Sequence, residues 1–135
     1  MANQLYPKAK EDFLAGNLNL SSNVITVALI DTDVYTFSSA HEDRADVRNS
    51  SVIAEANLAS KTITSGVFDA ADAVFTSVTG ANAEALIIYH TDTQSGNASS
   101  RLIAYIDTAT GLPILPNGGD ITVRFSSGAS KIFAL

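Results

Sequence analysis

The apolar positions change period once along the chain. Near the start they follow helical spacing, with Ala9, Phe13 and Leu14 four and five residues apart. Pro7 suits a first helical turn, and Glu11 and Asp12 come early, where the helix dipole favours negative charge. Gly16 followed by Asn17 is a stop signal. The spacing predicts one short helix from Lys8 to Ala15, docked through Phe13 and Leu14.

From residue 23 onward the pattern belongs to strands. Asn23 to Ile30, Glu84 to Tyr89 and Leu102 to Ile106 are apolar on both faces, as strands covered on two sides are. Tyr35 to Ser39, Val52 to Ala56, Lys61 to Thr64, Ala71 to Val78 and Lys131 to Leu135 are shorter candidates. Asp120 to Phe125 alternates most cleanly, with Ile121, Val123 and Phe125 facing in and Thr122 and Arg124 facing out. Two loops separate these runs: the charged stretch Ala40 to Asn49 and the Gly, Ser and Thr stretch Thr91 to Ser100. A third connection, Thr110 to Gly119, holds two prolines that cannot donate to a central ladder. Many short strands with Gly, Asn and Pro turns predict an all-β single domain. The expected fold is a β-sandwich or barrel, jelly-roll-like, of about eight short strands with one short N-terminal helix. Residues 1–7 would be an arm, 8–15 the helix and 23–135 the β domain. Ala28-Leu29-Ile30-Asp31-Thr32 echoes Ala104-Tyr105-Ile106-Asp107-Thr108, which predicts two strands in equivalent positions. Phe13, Phe75, Phe125 and Phe133 read as core, whereas Tyr35, Phe37, Tyr89 and Tyr105 are candidates for an interface.

Composition narrows the function. The 135 residues fit one domain. The absence of Cys excludes disulfides and thiolate metal sites. Only 16% of residues are charged, and Ser and Thr fill the gap, which suits a packing surface. A net charge of −6 with scattered Lys and Arg argues against nucleic acid and against an anionic membrane surface. No apolar run reaches the roughly 18–20 residues of a membrane span. The opening residues lack a basic segment followed by an apolar one, so synthesis in the cytoplasm is expected.

The chemistry-bearing residues form no recognisable catalytic motif. His90 with Asp92 and Ser95 lacks the Gly-x-Ser-x-Gly elbow that presents a nucleophile, and it reads as a strand-end His. His41-Glu42-Asp43 with Asp46 matches neither His-Glu-x-x-His nor a calcium loop, and it reads as a solvated turn. Asp31/Asp33 and Asp69/Asp72 are acidic pairs at loop entries, where Asp bonds its own backbone. A weak Ca²⁺ site at such a loop stays open. Asn117-Gly118-Gly119 opens no helix and reads as a turn, not a phosphate cradle. No enzyme activity, no cofactor and no small-molecule substrate is expected.

Longer stretches carry a resemblance. They are Met1 to Gly16, Val27 to Thr32 followed by Tyr35-Thr36-Phe37, Lys61 to Asp72, Leu102 to Pro113, Pro116 to Val123 and Gly128 to Leu135. In this order they resemble a family of small tailed-bacteriophage virion structural proteins, over essentially the whole chain. The resemblance implies a place in the phage particle, on the capsid exterior, as a decoration or cement protein. Its partners would be the major capsid protein and further copies of itself, as a homotrimer. The arm Ala2, Asn3, Gln4, Leu5 and Tyr6 has no evident local packing partner, so it is the candidate capsid contact. The competing reading is a tail, baseplate or fibre component contacting a host receptor or glycan. Its candidates are the exposed loop residues His41, Glu42, Asp43, Arg44, Thr93, Gln94, Ser95 and Asn97.

Overall fold

The computed structural model describes residues 3–92, 94, 96–107, 112–125 and 132–134. Ten strands and one α-helix are found among them. The strands are β1 (Gln4–Leu5), β2 (Ile25–Ile30), β3 (Val52–Asn57), β4 (Thr62–Thr64), β5 (Val67–Asp69), β6 (Ala73–Phe75), β7 (Ala85–His90), β8 (Leu102–Ile106), β9 (Ile121–Val123) and β10 (Phe133–Ala134); the helix is α1 (Pro7–Ala15). The all-β expectation holds, in a sandwich-like arrangement. The strands group as five, three and two: β1-β8-β7-β2-β3, β10-β5-β4 and β6-β9. Every pairing is antiparallel.

The three runs that are apolar on both faces become the centre of the five-stranded sheet. All six residues of β2 are buried, as are five of six in β7 and four of five in β8. β2 and β8 flank β7 on its two sides, so they run parallel to each other and end at the same edge of the sheet. The two strands that share a sequence thus agree in direction but not in register, since Tyr105 lies in the row of Ala28 and not of its counterpart Leu29. Cross-strand partners share a face, so Ala28, Ile87 and Tyr105 lie in one row. The connection after β2 covers that row: the rings of Tyr35 and Phe37 stand 6.2 and 5.2 Å from the Tyr105 ring.

Several expectations are corrected. Tyr35 to Ser39 is not a strand; the amides of Val34 and Tyr35 both donate to the Asp31 carbonyl, turning the chain over the sheet. The apolar alternation there comes from packing on a sheet face, not from a ladder. Leu14 does not dock α1 but is 91% exposed; the helix buries Ala9 and Asp12, with Phe13 half-buried. Ala9, Asp12 and Phe13 share one face at spacings of three and four, and Leu14 falls outside it. Tyr35, Tyr89 and Tyr105 are each 4% exposed, so they belong to the core and reach no surface. Of the four core phenylalanines, Phe75 is buried and Phe13, Phe125 and Phe133 are half-buried.

Local turns follow their chemistry. Gly16 takes φ 79°, and the amides of Gly16 and Asn17 return to the carbonyls of Phe13 and Asp12, closing the helix. Ser65 (φ 52°) and Gly66 (φ 77°) join β4 to β5 as a two-residue turn with both central residues left-handed. Ile121 and Val123 are half-buried and Thr122 exposed, which keeps the predicted alternation in β9.

Candidate functional site

The N-terminal segment is not a free arm. Gln4 and Leu5 pair with Tyr105 and Ala104, which makes β1 an edge strand of the main sheet. The Asn3 side-chain oxygen accepts the Asp107 amide at 3.0 Å. Tyr6 is fully buried, and its amide donates to the Ile103 carbonyl at 2.9 Å. Its ring lies 5.0 Å from Phe37. The reason is the sequence of β8: an apolar strand with an open edge on this side recruits the nearest apolar segment of the chain. Ala2 lies outside the described residues.

The two predicted polar loops meet at one end of the sheet. Asp43 bridges to Arg101, the Arg44 amide donates to the Ser100 carbonyl at 2.7 Å, and the Leu102 amide donates to the Glu42 carbonyl at 3.0 Å. Short 3₁₀ turns, Arg44–Asp46 and Gly96–Ser99, stand next to each other there. Glu42 and Gln94 are exposed, His41 and Asp43 half-buried. Asn97 lies on the second turn. Thr93 and Ser95 lie outside the described residues.

Arg44 is a correction: it is 3% exposed and serves the fold. Its Nη1 donates to the Val47 carbonyl at 2.7 Å and its Nη2 to the Asn49 side chain at 3.2 Å. The guanidinium stands 5.7 Å above the Tyr89 ring, and its Nε is 3.7 Å from a Glu55 oxygen without forming a hydrogen bond. Tyr89 in turn donates its hydroxyl to Glu55.

Two side-chain constellations tie the loops to the N-terminus. The first is ionic. Arg101 Nε stands 2.6 Å from Asp12 of α1, and its Nη1 3.1 Å from Asp43 Oδ1, a charge contact not aligned as a hydrogen bond. Burial raises the Asp43 carboxyl above the usual range against the pull of Arg101. The amides of Glu42 and Asp43 hold Asp46 low by donating to its carboxylate. The second is a chain of hydroxyls. Tyr6 and Tyr35 are bonded oxygen to oxygen at 2.9 Å, and the Tyr35 hydroxyl lies 2.8 Å from His41 Nδ1. Burial pushes Tyr35 up to about 12 and Tyr6 higher still, so both phenols keep their protons.

A third cluster is acidic. Asp31, Asp33 and Glu84 bring one carboxylate oxygen each within 4.8 Å of one another. The Asp33 amide donates to Asp31 and the Thr32 amide to Glu84, so backbone donors already serve this turn. Of the other acidic pair, Asp72 accepts the Phe125 amide at 3.2 Å. In the predicted His41 cluster, His41 Nδ1 is committed to Tyr35 and Asp46 to backbone amides. His90 ends β7 opposite Ile25, and burial lowers its pKa below the usual histidine value. Sequence reasoning missed Arg101, Tyr6 and Glu84 as organising groups. The available signals were a lone Arg opening an apolar strand, a Tyr ahead of the helix and a Glu opening a core strand.

An open apolar groove of about 380 Å³ is lined by Phe13 of α1 together with Leu18, Leu20, Ile63, Phe68 and Phe133. Ile63, one of its walls, is 52% exposed. No protein-family model matches the chain, and no curated protein matches it either.

Proposed function

We propose that the protein is a bacteriophage virion structural protein, a capsid decoration (cement) protein that binds the outer surface of the major capsid lattice. The observation that carries this reading is the ordered resemblance to small phage virion proteins, from Met1 to Leu135. The surface is compatible with assembly: charge is sparse, and Leu14, Leu115 and Ile63 are large exposed apolar side chains. Buried against a neighbour, such side chains contribute about 1.5–3 kcal/mol each. The capsid contact is then sought at these exposed apolar side chains and not on a free arm, because Gln4 to Tyr6 are held by β8. In a self-associating homotrimer exposed apolar side chains of this kind would meet a second copy.

Co-sedimentation tests the reading. Purified protein is mixed with expanded phage shells stripped of decoration, and separately with isolated tails. Saturable binding to shells near one copy per major capsid subunit, weakened by Leu14→Asp, is the expected result. Binding only to tails or to host envelopes would overturn it and assign the protein to adsorption. The surface to mutate would then be the paired loops carrying Glu42 and Gln94.

A further inference from the structure

We propose that Tyr6, Tyr35 and His41 form a hydrogen-bond relay that makes the docking of the N-terminal strand depend on the charge of His41. Both phenols keep their hydrogen at any ordinary pH, so the relay always has two hydroxyl protons to place. With His41 neutral and Nδ1 free, both are placed: Tyr6 donates to Tyr35, and Tyr35 donates to Nδ1. With His41 charged, Nδ1 carries a proton of its own and donates to the Tyr35 oxygen. Three protons then share two contacts. One hydroxyl hydrogen, on Tyr6 or Tyr35, is left inside the core, where these residues are 0% and 4% exposed.

A buried donor without an acceptor is costly, and the cheapest relief is movement of its carrier. Tyr6 can move most easily. It follows a strand at the sheet edge that, among the described residues, pairs two residues, Gln4 with Tyr105 and Leu5 with Ala104. The helix behind it starts from the Tyr6 carbonyl, which accepts the Lys10 amide, but it has a second anchor further along, Asp12 on Arg101. Charging His41 therefore loosens β1 and leaves α1 in place.

Other charges act on the same imidazole. Asp46 faces it from the 3₁₀ turn, and Glu42 and Asp43 adjoin it in the chain, with Arg101 neutralising Asp43. Tyr105 and Asp46 also act on Tyr35. The relay lies wholly within the chain and needs no bound partner.

Amide hydrogen exchange on the full chain tests it, with rates corrected for the intrinsic effect of pH. The Tyr6 amide, bonded to the Ile103 carbonyl, is the reporter, and amides in the middle of β2 and β7 are the reference. Protection of Tyr6 is expected to fall about tenfold between pH 7.5 and pH 5, the size set by one orphaned donor. The β2–β7 reference should change far less. His41→Asn keeps an acceptor without a titrating ring and should hold Tyr6 protected at both pH values. Tyr35→Phe breaks the relay and should leave Tyr6 poorly protected at both. His90→Gln, which removes the other histidine, should leave the wild-type difference intact. Equal protection of wild-type Tyr6 at the two pH values, or a pH difference that survives His41→Asn, overturns the proposal.

Discussion

Arg101 gives the sharpest stability prediction, because one side chain serves two elements. It joins β8 to α1 through Asp12 and to the 41–46 turn through Asp43. Replacing it with Met keeps the length and apolar stem and removes the charge. Asp12 is 8% exposed, so its carboxylate would be left nearly buried without its cation. Breaking a buried pair from one side costs about 3–5 kcal/mol. The Arg101 side chain is 22% exposed and that of Asp43 26%, so solvent screens part of this. About 2–3 kcal/mol is the resulting expectation for Arg101→Met. With a urea slope of about 1.5 kcal/mol per molar, the midpoint should fall by about 1.3–2 M. The thermal midpoint should fall by about 7–10 °C. Urea denaturation followed by far-ultraviolet circular dichroism reads both stability and slope. The double variant Arg101→Met/Asp12→Ala should cost at least 1 kcal/mol less than the sum of the single changes, since no orphaned charge remains. Additive costs, or a loss below about 1 kcal/mol for Arg101→Met alone, would refute the reasoning.

Other perturbations probe the remaining links. Tyr6→Ala empties a fully buried site between β8 and the Tyr35–Phe37 layer and should cost about 3–5 kcal/mol in denaturant titration, whereas a free arm would lose almost nothing. Ser65→Asn places a residue that tolerates the left-handed region at φ 52° beside Gly66 and should raise stability by about 0.5 kcal/mol, read as a higher thermal midpoint. The pH dependence has a definite sign. Burial lowers His90, so its contribution is complete above its unfolded value of 6.5 and is lost as pH falls through the lower folded value. Asp46 is also lowered, and its contribution is lost only near and below the ordinary carboxylate value of 3.8. Asp43 is raised and acts in the opposite direction: its contribution is present below 3.8 and is lost as pH rises through the folded value. Stability should therefore begin to fall on acidification near pH 6.5, and His90→Gln should flatten that first slope in urea midpoints measured from pH 8 to pH 5.

The sequence by itself determined the strands that make the core. Asn23 to Ile30, Glu84 to Tyr89 and Leu102 to Ile106 are apolar on both faces, and a segment without a polar face has nowhere to go but the middle of a layered fold. Their structural counterparts differ from these limits by two residues or fewer. The helix was equally legible, because Pro7 and Gly16 act through local backbone geometry that needs no partner. The tertiary structure decided which polar groups are interior. Arg44 reads in sequence as one charge in a solvated loop, yet Tyr89 and Glu55 arrive from two strands to cover it. Tyr6 reads as part of an arm, yet the free edge of β8, about 100 residues later, captures it. Glu84 comes about 50 residues after Asp31 and Asp33, and only the β2–β7 register brings the three to one edge. Local periodicity records how a segment faces water. It carries no record of the distant segment that supplies a counter-charge, a hydrogen-bond acceptor or a strand edge, and those partners are what bury a charge or pin a terminus.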